Sequence, residues 1–309
     1  MNATLETVLY GLVGLLATAS LIGLVLQWRA TKAETVKTVE NLNARIRSWW
    51  VMVFLVGGAI ALGEAATILL FALISFIALR EFWTLTPSRR GDHLALFLSF
   101  FVVLPLNYLL LADDWYGLFI IFIPVYAFLL LPAIATLAGD TGEFLARSAK
   151  VQWGLMLAVY AISHAPALLL LDTGVPSALL IVYLIVVVQL SDVLQYVWGK
   201  LIGKTRLSPS ISPSKTVEGL IGGGLSAILV GTLLHKMTPF TPLQAAGMSS
   251  VIVIAGFFGG FVLSAIKRDL NTKDWGYIIE GHGGVLDRVD SLTFAAPLFF
   301  HLTRYWFTA

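Results

Sequence analysis

The chain has 309 residues, 58% of them apolar and 12% charged, with a formal net charge of +2 and a mean hydropathy of +0.87. Soluble domains carry about 25% charged residues, so a water-soluble globule is excluded. The absence of cysteine rules out disulfide and thiolate chemistry. The basic residues are spread over several loops and give no support to nucleic-acid binding.

Apolar runs long enough to cross a hydrocarbon core of ~30 Å recur along the chain. They predict an all-α, polytopic integral membrane protein of about ten transmembrane helices. The expected spans are 5–27, 50–63, 65–79, 93–111, 116–137, 152–171, 176–198, 216–234, 245–266 and 291–307. The flank from Met1 to Glu6 lacks basic charge and no small-residue cleavage pattern follows, so the first span reads as a retained helix. Residues 29–50 are amphipathic: Val36, Val39, Leu42, Ile46 and Trp49 recur at helical spacing opposite Lys37, Asn41, Asn43 and Arg45. Two readings fit them. One is a helix lying in the cytoplasmic interface with Trp49 and Trp50 at headgroup depth; the other is a linker helix packed on its own protein. Residues 1–48 then extend a nine-span core over 49–309. The second and third spans form one apolar stretch too long for a single crossing, and Gly63-Glu64 is the expected break. Glycines at 222–224 and at 256, 259 and 260 predict close helix packing. No internal repeat is visible, which weighs against an inverted-repeat transporter.

Charge fixes the expected orientation. All 20 Lys and Arg residues except Lys236 and Arg304 fall in the odd-numbered loops. The positive-inside rule therefore places those five loops in the cytoplasm and both termini outside.

Three features on that side could carry chemistry. Asp192 lies inside the seventh span, where an ionisable residue is a functional candidate or one half of a structural pair, for example with Lys200. The loop Gly199–Gly219 ends Ile211-Ser-Pro-Ser-Lys-Thr-Val-Glu-Gly219, so Lys215 and the amides of the next helix make either an anion site or a solvated, capped turn. Gly203-Lys204-Thr205 is not a P-loop, because the required first glycine falls on Trp198 and no strand–loop–helix context exists. The third feature, Ser264–Ser291, packs Lys267, Arg268, Lys273, Arg288, Asp269, Asp274, Asp287, Asp290 and His282 between two apolar stretches. Gly281, Gly283 and Gly284 allow a sharp turn there. Asp287 and Asp290 stand three apart at a helix start, where they could share a divalent cation or only complement the helix dipole. The cluster suits a polyphosphate held by cations and a metal.

These stretches also carry a resemblance. Ser264, Lys267-Arg268, Lys273-Asp274, His282-Gly283-Gly284 and Asp287-Arg288-Val289-Asp290 resemble the signature of the CDP-diacylglycerol synthases, or phosphatidate cytidylyltransferases. Upstream, Asp192-x-x-x-Tyr196-x-x-Gly199-Lys200 and Ser212-Pro-x-Lys215-Thr216-x-Glu218-Gly219 are similar to the family's other recurrent stretches, and Ala78-Leu-Arg-Glu-Phe82 to an early one. The resemblance covers about 50–309. One position departs: Glu280 stands where the family usually has Pro or Gly two residues before the histidine.

The resemblance implies CMP transfer from CTP to phosphatidate, giving CDP-diacylglycerol and pyrophosphate during phospholipid biosynthesis. It implies Mg²⁺ on Asp287 and Asp290 with Asp192, and a second, monovalent ion such as K⁺. It places Lys267, Arg268 and His282 in catalysis beside the two aspartates. Ser212, Lys215, Thr216, Ser264, Lys273, Asp274, Gly283, Gly284 and Arg288 fall to substrate binding. Expected partners are CTP, phosphatidate or a similar lipid phosphate, and membrane lipids, with a homodimer admissible. The expected location is a bacterial inner membrane with the site facing the cytoplasm. Rival readings are a CTP-dependent enzyme acting on another lipid or polyprenol phosphate, a transporter, and an inactive paralogue.

Overall fold

The computed structural model describes residues 3–29, 33–279 and 283–308. A helix lies over each of the ten expected spans. In chain order they are α1 Ala3–Arg29, α2 Ala33–Leu62, α3 Glu64–Leu85, α4 Arg90–Ala112, α5 Tyr116–Thr136, α6 Phe144–Leu170, α7 Ser177–Ile202, α8 Val217–Met237, α9 Pro242–Asp269 and α10 Leu286–Phe307. Among the described residues, α3 to α9 are long and apolar enough to cross a membrane. Helix α2 supplies a shorter apolar stretch over Ile46–Leu62. Helix α10 carries Asp287, Arg288 and Asp290 in its first turns.

The break between the second and third spans falls at Gly63, as expected. Its φ of 109° is open to glycine and strained for other residues, so the chain turns there without a longer loop. The amphipathic stretch differs from the interfacial reading. It runs without interruption into the second span as one 30-residue helix, and residue 48 lies inside it. It packs on α1: Trp50 Nε1 donates to Ser20 Oγ at 3.0 Å and Asn43 Nδ2 to Gln27 Oε1 at 2.9 Å. No proline interrupts residues 33–62, so nothing stops the helix where its pattern changes from amphipathic to apolar.

Helix α6 is central, with Leu155, Ala158, Val159, Ile162 and Ala165 fully buried. Two glycine contacts then set the helices that hold the candidate site. A Cβ on Gly223 of α8 would lie 2.2 Å from the Gln195 backbone nitrogen of α7, and one on Gly259 of α9 would lie 2.7 Å from the Asp290 carbonyl of α10. Backbone thus meets backbone at both seams, as the clustered glycines predict.

The loop between α7 and α8 contains a hairpin that the sequence reading did not anticipate. Strand β1, Arg206–Ser208, pairs antiparallel with β2, Ser212–Thr216, in the register Arg206↔Thr216 and Ser208↔Ser212. Lys215 therefore lies on a strand, and Thr216 is the N-cap of α8, its hydroxyl accepting from Gly219 N at 3.1 Å. The Glu218 carboxylate closes the base of the hairpin by accepting from the amides of Lys204 and Thr205.

Candidate active site

The site is built where the β1–β2 hairpin, the loop after α9 and the start of α10 meet the end of α3. Asp287 is its hub. Oδ1 accepts from Lys267 Nζ at 2.6 Å, and Oδ2 accepts from the amides of Trp275 at 2.7 Å and Gly284 at 2.9 Å. Both partners of the ion pair are buried. Three donors converge on one carboxylate, which ties the loop to α9 and α10 at once.

Asp290 points elsewhere. Its Oδ1 accepts from the Ser291 amide at 2.7 Å and faces the Ser291 hydroxyl at 3.4 Å. That hydroxyl donates to Asp192 Oδ2 on α7 at 2.8 Å. The carboxylates brought together are therefore Asp192 and Asp290, bridged by Ser291. Asp287, the third carboxylate expected to share the ion, has both oxygens engaged by Lys267 and two amides. Asp192 also does not pair with Lys200, whose Nζ lies 5.8 Å from the centre of the Tyr196 ring.

Cations border the aspartate pair. Lys215 Nζ lies over the Phe257 ring at 4.7 Å. Lys215 Nζ and Asp290 Oδ2 each lie 3.6 Å from the place a Cβ would take on Gly260, so that glycine leaves the space between them open. Arg268 is exposed and pins two segments, Nε donating to the Ile211 carbonyl at the hairpin tip and a terminal nitrogen to the Thr272 carbonyl. Lys273 is exposed and Asp274 half-buried, with the Thr272 hydroxyl donating to the Asp274 carbonyl. The Ser264 hydroxyl is turned back to the Gly260 carbonyl of its own helix. Ser212 is half-buried at the start of β2. The Arg288 carbonyl accepts from Gln189 Nε2 at 3.2 Å, joining α10 to α7. Gly283 takes a positive φ of 82° and its carbonyl accepts from Ile279 N at 2.8 Å. His282, with Glu280 and Gly281, lies outside the described residues.

Sequence reasoning assigned no role to Glu81. This residue of α3 is buried, and its carboxylate accepts from the amides of Val285 at 2.9 Å and Leu286 at 2.8 Å. It caps α10 from another helix and opposes the positive end of the helix dipole. The available signal was its place in Ala78-Leu-Arg-Glu-Phe82, beside Phe82, which stacks on the buried Trp275 at 5.5 Å. Glu81→Ala removes the acceptor of two buried amides. It is expected to cost roughly 1–3 kcal/mol and to speed hydrogen exchange at residues 285 and 286. Unchanged exchange at those two amides would show that the cap is idle.

Two lysines can offset and orient an anion here, two carboxylates with hard oxygens can hold a cation, and Arg268 ties the hairpin tip to the segment after α9. Comparison with known proteins gives the family. The cytidylyltransferase family profile matches residues 43–306. A relative from Escherichia coli (strain K12), uncharacterized protein YnbB, is 40% identical over 304 residues, 97% of this chain and 99% of that protein. A phosphatidate cytidylyltransferase of Synechocystis sp. is 42% identical over 113 residues, 36% of this chain and 38% of its own length. One from Staphylococcus aureus (strain COL) is 39% identical over 120 residues, 38% of this chain and 46% of its own. With its apolar helices and a match along most of its length, the chain belongs to the cytidylyltransferase family as an integral membrane protein.

Proposed function

We propose that the protein transfers CMP from CTP to the phosphate of a membrane lipid, phosphatidate, releasing pyrophosphate and leaving CDP-diacylglycerol. The observation that carries this reading is the Asp192–Ser291–Asp290 bridge set beside Lys215 and Lys267 in a chain of this family. Phosphatidate as acceptor is drawn from the phosphatidate cytidylyltransferases of Synechocystis and Staphylococcus aureus that match in part. In the reaction a lipid phosphate oxygen forms a bond to the α-phosphorus of CTP. The bond from that phosphorus to the bridging oxygen breaks, and its electron pair leaves with pyrophosphate. Both reactants are anions, so the protein's task is to cancel repulsion and hold them in line.

Asp192 and Asp290 fit a magnesium ion, since Mg²⁺ is commonly held by one or two carboxylates and otherwise by water and substrate phosphates. Among the described residues no group of three or more acidic, histidine or cysteine side chains makes a dedicated cage. When bound, the ion offsets triphosphate charge and polarises the phosphorus under attack. Lys215, poised over Phe257, and Lys267, held by Asp287, supply fixed positive charge at either side of the pair. Arg268 and Lys273 gather phosphates at the exposed mouth, and Arg288 faces the lipid. Asp287 acts through Lys267 and the loop it anchors. The charge bias of the loops supports a site open to the cytoplasm of a bacterial inner membrane.

Purified protein in detergent should incorporate radiolabelled CTP into phosphatidate. Chelation of divalent ions is expected to lower the rate by at least about 100-fold, with recovery on adding Mg²⁺. An absence of incorporation into every lipid phosphate tried would sink the reading. A second acceptor class, an isoprenoid phosphate, deserves its own arm. The full-length similarity is to YnbB, whereas the phosphatidate enzymes match over less than half of their length.

A further inference from the structure

An apolar cavity of about 210 Å³ opens between α2, α3, α7 and α10. Its walls include Val56 and Ile60 of α2, Phe71 of α3, Val182 of α7 and Leu292 of α10. Among the lining residues only Gln189 and Arg288 carry a strongly polar side chain, and with Ile279 and Val285 they border the candidate site. Along α2 the lining runs from Trp49 to Ile60. At 1.5 Å per residue that is roughly 16 Å, about half of a ~30 Å hydrocarbon core. That length matches one leaflet, and Gln189 and Arg288 at its polar end stand three and two residues in sequence from Asp192 and Asp290.

We propose that this cavity is an acyl-chain pocket, in which one chain of the acceptor lipid lies while its phosphate meets the Asp192–Asp290 pair, so that pocket volume selects chain length. The proposal rests on the lipid-phosphate reading above and adds to it the element that chooses among lipids. Arg288 follows Asp287 directly and precedes Asp290 by two residues. A lipid whose chain fills the pocket therefore carries its head to the start of α10. Water is a poor occupant, because a buried water needs two to four polar partners. A hydrocarbon chain restores the dispersion contacts that an apolar void forfeits. The pocket is a recess walled by four helices, which distinguishes it from the flat helix faces that any membrane protein turns to lipid.

The experiment pairs kinetics with photolabelling. In mixed micelles Val56→Trp should raise the KM for dioleoyl phosphatidate about tenfold, the equivalent of roughly two buried methylenes. The KM for dihexanoyl phosphatidate and for CTP should stay unchanged. Ile60→Ala, which deepens the pocket, should shift preference toward longer chains. Equal effects of Ile60→Ala on long- and short-chain acceptors would overturn the pocket. Phosphatidate with a diazirine at the end of one chain is expected to label wild-type α2 and α3 near Ile60 and Phe71, and excess phosphatidate should compete where diacylglycerol does not. Label spread evenly over the outer faces of α1 and α5 would also overturn it. Labelling is read without turnover. Specific labelling of a protein that fails to convert phosphatidate would retain the pocket and refute the proposed reaction.

Discussion

Asp290→Asn and Asp192→Asn should each lower CMP transfer by roughly 10²- to 10³-fold while leaving the fold intact. Each carboxylate has one oxygen engaged by Ser291 and the other, among the described residues, without a hydrogen-bond donor. An amide keeps the volume and one acceptor but loses the charge that an ion and a polyphosphate require. Neither aspartate forms an ion pair within 4 Å among the described residues, so neutralising it breaks no direct contact with a cation and thermal melting should change less than for Asp287. Turnover of labelled CTP, alongside a melt in detergent, separates the two effects. Full activity in both variants would remove this pair from the mechanism.

Asp287→Ala should behave in the opposite sense and melt the protein first. It leaves Lys267 buried without its partner and frees the amides of Trp275 and Gly284, and breaking such a buried pair costs about 3–5 kcal/mol. The control is the double variant Asp287→Ala with Lys267→Met. Removing both charges should return much of the stability, because an apolar replacement of a buried pair is often neutral. Transfer should stay low, since the lysine is gone. A double variant as unstable as the single one would show that the amide contacts, not the charge pair, hold the loop.

The chain's helical character, the break at Gly63 and the concentration of charges at one end were legible because each depends on local pattern. Apolar runs register span by span, and a glycine inside one marks a turn. The partnership of Asp192 with Asp290 was not legible: the two lie on α7 and α10, and only the packing of those helices brings Asp192 to Ser291. Spacing placed Asp287 and Asp290 on one helix face, but spacing says nothing of Lys267, which captures Asp287 from another helix. Glu81 escaped for the same reason, since its donors are more than two hundred residues away. The β1–β2 hairpin lacked alternating apolar residues, and Pro209 and Pro213 read as a loop. Helix α2 looked like two elements because its first half is amphipathic and its second half apolar, although nothing in the backbone divides them.

The unbroken course of α2 has a consequence for how such a protein could change over time. The groups proposed to handle phosphate sit on α7, α9, α10 and the hairpin, while α2 joins α3, α7 and α10 around the cavity and brings no charge to its wall. On the proposed reading, α2 contributes to recognition of the hydrocarbon alone, while α7 and α10 serve both the hydrocarbon and the anion. On that reading, substitutions along Trp49–Ile60 would retune which lipid is accepted without disturbing a single charge, and one catalytic apparatus would be refitted to membranes of different composition.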